Sequence, residues 1–367
     1  MNMRSIKRAL FFFPTDRMGG AERVTRQLVQ AAVESRKYDE ITCFVLAQES
    51  QGTLTGLTVN PAVKLVYSNA SRELFGLLPL LKEIWGKEYE FVFSSHAHLN
   101  AMTSFLRRLK VLKVQRLVAR ESTLIFERDL GLKGNIVKYL YGLYGAHDLV
   151  VCQTERMASS LSLNTRSRFS HKTIVLKNPV DLRRFSALGG GGNRVADVIT
   201  FGGLRIVWCG RLSSVKDPFL AIDVLRSVLD SGVSDAKLVM IGEGVLRKEI
   251  EAYAGTRSVA NALLMTGYQE CPGELFKFCD VGLLTSEIEG FPNVILEMLA
   301  SGVKYIVTTD CAGGLRNIPN VLVSDDRDAD ALAKLIVEGH PDVESRDGVM
   351  RFLEGCSPNE YLNAIAD

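Results

Sequence analysis

The chain has 367 residues and a mass of 40.5 kDa, enough for about two domains at roughly 150 residues each. Hydrophobic residues at 47% and charged residues at 23% exclude disorder as the main state. Forty-four Lys and Arg against 42 Asp and Glu leave a net charge of +2, so no global field attracts nucleic acid, and none is expected as a partner.

The first apolar run, residues 9–13, is ended by Pro14 and is too short for a signal core, so it reads as a buried first strand. No apolar stretch approaches the roughly 20 residues of a membrane-crossing helix. The seven cysteines form no C-x-x-C pair, and their odd number fits a reducing compartment. The expectation is a cytoplasmic protein, at most peripheral on the inner face of a membrane.

In chain order, further short apolar runs follow at 41–47, 63–67, 91–94, 116–119 and 149–153, with helical stretches at 21–35, 73–85 and 135–145. The pattern then restarts with runs at 205–209, 237–241, 262–265, 281–284 and 304–308, and a helix at 218–229. Strands alternating with helices imply parallel sheets covered on both faces. This is an α/β chain with two Rossmann-like domains. Gly189 to Gly192 form a flexible run that no packed element tolerates. The boundaries read from this pattern are an N-terminal domain at 1–181, a second domain at 182–350, and a tail at 351–367.

Three loops carry candidate chemistry. After the first strand, Gly19 and Gly20 open a helix, where a backbone turn can approach an anion at the helix N-terminus. The same pair also suits a plain tight turn. The spacing is not G-x-G-x-x-G, so a dinucleotide fingerprint is absent. After the strand at 205–209 come Gly210, Arg211 and Lys216, a forked donor and a point charge at a strand's carboxyl end, where a diphosphate would lie. After the strand at 281–284 come Glu289, Gly290, Phe291, Pro292, Asn293 and Val294, with Glu297 about a turn and a half into the following helix. Backbone N–H groups around Gly290 to Val294 are then available to hydroxyls or phosphate.

Gly-Gly-Ala-Glu-Arg from Gly19, Asn-Pro-Val-Asp from Asn178, Gly-Arg-Leu from Gly210 with Lys216, and Glu-x7-Glu from Glu289 occur in that order. Together they resemble the retaining glycosyltransferases of family 4, and in particular those building bacterial surface polysaccharides and lipid-linked oligosaccharides. The later loop, Asp310 to Arg316, departs from that subgroup's Pro-Ser-Gly-Pro-Arg-Glu character.

The resemblance implies a GT-B fold, two Rossmann-like domains facing across a cleft, with the tail returning to the first. It implies transfer of a sugar from a nucleoside-diphosphate sugar, commonly UDP-linked, with no metal or other cofactor. Glu289 and the backbone after it would contact the donor sugar, Glu297 the ribose, and Arg211 with Lys216 the diphosphate.

Many relatives place a His after the fifth strand; here that position reads Arg120-Glu121, while His96 and His98 lie one strand earlier. These four are candidate acceptor or cleft residues, and no further carboxylate or Cys is grouped with the histidines in the sequence to complete a metal set. The basic and apolar stretch 107–116 fits either a helix lying on an anionic membrane or an ordinary solvated helix face. A GT-B-like sugar-nucleotide epimerase and a non-catalytic sugar-nucleotide sensor remain as other functions.

Overall fold

The computed structural model describes residues 6–47, 52–70, 73–128, 137–186, 202–339 and 344–367. The chain divides into two compact units, one formed by Met1–Pro179 with Cys356–Asp367, the other by Val180–Gly355. The expected glycine-rich run at 189–192 and the start of the helix expected at 135–145 lie outside the described residues.

The N-terminal unit holds strands β1 (Arg8–Thr15), β2 (Glu40–Ala47), β3 (Val63–Tyr67), β4 (Glu88–Ser95), β5 (Lys113–Arg120), β6 (Leu149–Cys152) and β7 (Thr173–Val175), in the order β3-β2-β1-β4-β5-β6-β7. All pairs are parallel. Strand β1 is central, which explains its unbroken apolar run: Ala9, Phe11 and Phe13 enter the core on one face, Leu10 and Phe12 the core on the other.

Helix α1 (Gly20–Ser35) covers the first face together with the C-terminal helix at 358–366, whose Tyr361, Leu362 and Ile365 are buried there. Helices α2 (Leu77–Ile84) and α3 (Ala97–Arg108) cover the second face through Leu80, Ile84, Leu99 and Leu106. A further helix, α4 (Glu155–Asn164), starts where the Thr154 hydroxyl accepts from the Met157 N–H at 3.2 Å.

The second unit repeats the plan with β8 (Arg205–Cys209), β9 (Lys237–Ile241), β10 (Leu263–Gly267), β11 (Val281–Leu284), β12 (Tyr305–Thr309) and β13 (Val321–Ser324), ordered β10-β9-β8-β11-β12-β13 and all parallel. Helix α5 (Pro218–Asp230) opens with Asp217 as its cap and Pro218 in the first turn. It packs beside α8 (Ala329–Glu338) over Trp208, while α6 (Arg247–Thr256) adds Ile250 to the same core. Helix α7 (Asn293–Ser301) ends at Gly302 in the left-handed conformation, φ 103°. Its last carbonyls receive Arg346, at the start of α9 (Arg346–Glu354), which donates to Ala300 O at 2.7 Å. The C-terminal helix of the first unit is α10 (Pro358–Ala366).

One sequence reading is corrected here. Residues 107–116 are not one helix: α3 ends at Arg108, Lys110 turns the chain with φ 58°, and β5 begins at Lys113. A left-handed residue at that point stops an α-helix from continuing. Of the helix expected at 135–145, the described residues 137–139 are α-helical and run into a 3-10 turn at Leu140–Leu143.

Candidate functional site

In the second unit the chain runs from β8 outward to β9 and β10, then returns to place β11 on the other side of β8. The loops after β8 and β11 therefore diverge at the carboxyl edge, the place where open α/β sheets form a ligand crevice. The residues singled out from sequence in this unit lie on these two loops and the helix after the second.

Lys216 Nζ forms an ion pair with Glu289 Oε1, and the same oxygen accepts from the Ser286 hydroxyl at 2.8 Å. Both side chains are partly shielded, Lys216 at 27% and Glu289 at 14% exposed, so the pair is screened less than a surface one. Arg211, five residues before Lys216, is exposed and pairs with no acid among the described residues. Glu297 stands half-buried on α7, one face of which buries Ile295, Leu296, Met298 and Leu299. Phe291 and Pro292 are buried, and Pro292, the cap of α7, makes no side-chain hydrogen bond to its first turn.

Backbone bonds tie these loops together. The N–H of Glu287 donates to Val215 O at 2.9 Å, and that of Glu289 to Cys311 O at 2.9 Å. Burial, with Glu289 nearby, pushes the Cys311 thiol up to about 12, so it stays neutral. Gly210 and Leu212 donate to Ile241 O and Glu243 O, each at 3.0 Å. Gly242 explains its identity: φ is 141°, and a Cβ there would collide with the Gly210 carbonyl oxygen.

A buried bridge beneath the crevice carries residues to which sequence reasoning gave no role. Trp208 Nε1 donates to Thr285 Oγ1 at 2.9 Å, and that hydroxyl faces Asp217 O at 2.7 Å and Lys216 O at 3.0 Å. Arg327, from the loop before α8, donates to Asp217 Oδ2 at 2.6 Å and Thr285 O at 3.2 Å. Asp217 itself is held in the left-handed region, φ 42°, while its side chain caps α5. Thr285 adjoins the Glu-x7-Glu segment and could have been found there; nothing in the sequence near Arg327 signals its contact.

In the N-terminal unit the corresponding switch point lies between β1 and β4. Gly19 is the cap of α1, in extended backbone, and Gly20 its first residue. Glu22 Oε1 of that first turn meets His96 Nε2 at 3.3 Å, and Glu73 Oε2 meets His98 Nε2 at 2.8 Å. Burial alone would raise the Glu22 carboxyl, but the bond and charge of His96 hold it below its usual value. Among the described residues no group of three or more His, Cys, Asp or Glu is placed to hold a metal ion.

Arg120 and Glu121 stand apart from the cleft-lining role expected of them. They are 2% and 4% exposed. Arg120 donates to Ser95 Oγ at 2.8 Å and Asn178 Oδ1 at 2.5 Å. Glu121 accepts from the hydroxyls of Tyr141 and Tyr144. Burial raises the Glu121 carboxyl, opposed by its bonds from Tyr141, Tyr144 and Asn100, and lowers the Arg120 guanidinium, opposed by Tyr361, Glu22 and Glu121. Their place is an internal polar lock at the end of β5.

Residues 202–344 match the family profile for glycosyl transferases group 1. Over 320 residues the chain is 27% identical to an N-acetylgalactosamine-N,N'-diacetylbacillosaminyl-diphospho-undecaprenol 4-alpha-N-acetylgalactosaminyltransferase of Campylobacter jejuni, spanning 82% of this chain and 80% of that one. Over 208 residues it is 24% identical to an uncharacterized glycosyltransferase of Methanocaldococcus jannaschii, spanning 54% of this chain and about half, 49%, of the relative. Among solved structures, Anabaena HepE in complex with UDP-glucose superposes with a TM-score of 0.75 at 16% identity, covering 97% of this chain and 98% of that one. The chain thus has the two-sheet GT-B architecture, and its residues 202–344 match the profile of glycosyl transferases group 1.

Proposed function

We propose that the protein is a retaining glycosyltransferase that moves a sugar from a nucleoside-diphosphate donor, UDP-linked, to a glycan or lipid-linked glycan in bacterial surface polysaccharide synthesis. The observation that carries this reading is the meeting of Lys216 and Glu289 across the β8/β11 switch point, beside Arg211 and the first turn of α7. The Campylobacter relative, by its name, acts on a diphospho-undecaprenol-linked sugar, which supports a lipid-linked acceptor. The structural relative holds UDP-glucose, which supports the uridine donor.

As the glycosidic bond breaks, positive charge grows at the anomeric carbon and negative charge on the leaving diphosphate. Fixed donors aimed at that diphosphate stabilise the transition state more than the ground state. Lys216 and Arg211 take this role. The backbone N–H groups of Gly290, Phe291, Asn293 and Val294 supply further donors. Glu289, by pairing with Lys216, keeps the ammonium in place before the donor arrives, then meets the sugar hydroxyls. Glu297 receives the ribose hydroxyls.

These fixed cations neutralise the leaving group without calling on a divalent ion. The acceptor hydroxyl attacks from the face the diphosphate leaves, and the departing oxygen takes its proton, so the anomeric configuration is retained. Glu289 and Glu297 are not a glycosidase pair, whose carboxylates would flank one anomeric carbon about 5 Å apart.

The test is a thermal-shift panel with UDP, GDP, ADP, NAD and their sugar-linked forms, since a ligand that binds only the folded state raises the melting temperature. A shift with UDP, enlarged by one UDP-sugar, is expected. A shift with NAD alone, or with none of them, would overturn the assignment. An epimerase would convert the donor without an acceptor, and a sensor would bind it unchanged; product analysis with and without glycan acceptor separates these from transfer.

A further inference from the structure

The backbone that carries Lys216 is strained. Lys216 ends a single 3-10 turn, Ser214–Lys216, and the next residue, Asp217, is left-handed at φ 42° and ψ 65°. In that region a Cβ crowds the following carbonyl oxygen, so a residue other than glycine stays there only where its surroundings hold it. The direction in which the Lys216 side chain leaves the loop is therefore tied to whatever keeps Asp217 in place.

The contacts of Asp217 divide that work. Its N–H donates to Ser214 O at 2.9 Å, and its carbonyl receives the Thr285 hydroxyl. Asp217 Oδ1 accepts from the Leu220 N–H at 3.2 Å, capping α5. Asp217 Oδ2 accepts from Arg327 Nη2 at 2.6 Å, and the same nitrogen donates to Thr285 O at 3.2 Å. The cap needs only an oxygen, which asparagine would also supply; it is Arg327 that uses the carboxylate charge.

Arg327 lies between β13 and α8, so one guanidinium joins the loops that follow β8, β11 and β13. Of the acids near it in sequence, Asp325 pairs with Arg316 and Asp328 caps α8, while Arg327 reaches across 110 positions to Asp217. A half-exposed ion pair by itself contributes little to stability. This one is set apart by its place, for it closes on the residue after Lys216 and on the first residue of the loop that carries Glu289.

We propose that Arg327 is a positioning residue for the donor diphosphate: it holds Asp217 in its left-handed conformation against Thr285 and so fixes the direction of Lys216. The inference rests on the reading that Lys216 meets the diphosphate. An ammonium on a loosened turn keeps its charge but must be ordered each time the donor binds, and a donor out of place loses part of its effect. Loss of Arg327 should therefore reach the diphosphate only through Lys216.

Calorimetric titration of UDP into the full chain, run as a mutant cycle, tests it. Arg327→Met keeps the apolar stem and removes both bonds; it should weaken UDP about 5- to 10-fold, part of the roughly 10- to 100-fold that a hydrogen bond to a charged group contributes. Lys216→Ala should weaken UDP at least as much. The double variant should bind no more weakly than Lys216→Ala alone, since no ammonium is then left to place. Asp217→Asn keeps a cap and tolerates left-handed backbone, so it should match Arg327→Met, and the two together should add nothing. Arg327→Lys, which retains a charged donor for Asp217 Oδ2, should recover part of the loss.

UDP bound by the Arg327→Met protein as tightly as by the parent would reduce the contact to an ordinary surface ion pair and overturn the proposal. So would a further, equal loss when Arg327→Met is added to Lys216→Ala, which would mean general damage to the crevice, or a lysine variant no better than the methionine one. Should Arg327→Met fail to fold, Asp217→Asn carries the same comparison against Lys216→Ala. Failure of the underlying reading looks different: the parent would not bind UDP, or Lys216→Ala would bind it unchanged, and Arg327 would then have nothing to position. Binding weakened by Lys216→Ala but not by Arg327→Met removes this inference alone.

Discussion

Thr285→Val is the substitution that interrogates the crevice most directly. Valine matches threonine in shape, so the change removes one hydroxyl from a site with 0% exposure. Three groups lose their partner: Trp208 Nε1 loses its acceptor, and Lys216 O and Asp217 O their buried donor. An unsatisfied buried group costs about 1–3 kcal/mol, and Asp217 O and Lys216 O share one proton between them, so a loss of about 2–3 kcal/mol is expected. For a unit of this size that is a fall of about 5–10 °C in melting temperature.

Thr285→Ser keeps the hydroxyl and removes a methyl group, which should cost about 1 kcal/mol. Urea or thermal unfolding of the three proteins measures the difference, and UDP titration reports whether Lys216 has moved with its carbonyl. Trp208→Phe in the valine background should cost less than in the parent, because the indole N–H is already unpaired. A valine variant as stable as the parent, or a serine variant as damaged as the valine one, would show that the hydroxyl does not hold the loop.

Lys216→Ala should lower kcat about 100- to 1000-fold with a folded unit, as loss of a fixed donor at a developing anion does; steady-state transfer with the UDP-sugar found by thermal shift measures it. Glu297→Ala should weaken UDP by about 10- to 100-fold in calorimetric titration and leave the melting temperature of the free protein within a few degrees, the scale of hydrogen bonds to a charged group. Stability should also fall in acid through His147, whose burial holds its pKa at about 4 against 6.5 when exposed, with its Nε2 placed 2.9 Å from Asn100 O. Between those values the unfolded chain binds the proton and the folded one does not. The contribution is therefore complete above about pH 6.5 and declines by about 3 kcal/mol as pH falls to 4. Denaturant curves of the parent against His147→Gln across that range check it, the variant losing the sloping component.

How far the sequence speaks depends on how much of each element is buried. Strands β8, β9 and β11 coincide with their expected runs because a parallel strand covered on both faces must be apolar throughout. Strands β7 and β13 were not expected. Each is an edge strand of three or four residues, and the three residues of β7 are only half-buried, so little apolar signal remains to be read. The misread helix at 107–116 has the same origin. Its Arg and Lys alternate with leucines at a spacing that suits a helix end, and then Lys113 to Arg116 alternate in exposure as a strand does. Local pattern could not reveal that Lys110 turns left-handed between them.

The charged residues show a deeper limit. Lys216 and Glu289 are 73 positions apart, and their sequence spacing says nothing of their contact. What made them legible was the position of each after an apolar run, because a parallel sheet brings all such loops to one edge. That rule carries direction but no depth. Arg120 and Glu121 also follow a strand, at the same kind of edge, yet they turn inward to Asn178 and to Tyr141 and Tyr144. A strand end therefore nominates a residue for chemistry; the neighbouring polar side chains decide it. Where those neighbours satisfy every charge, as around Glu121, the residue serves the fold. Where Arg211 stands exposed with no paired acid among the described residues, beside a partly shielded Lys216–Glu289 pair, charge remains for a ligand to meet.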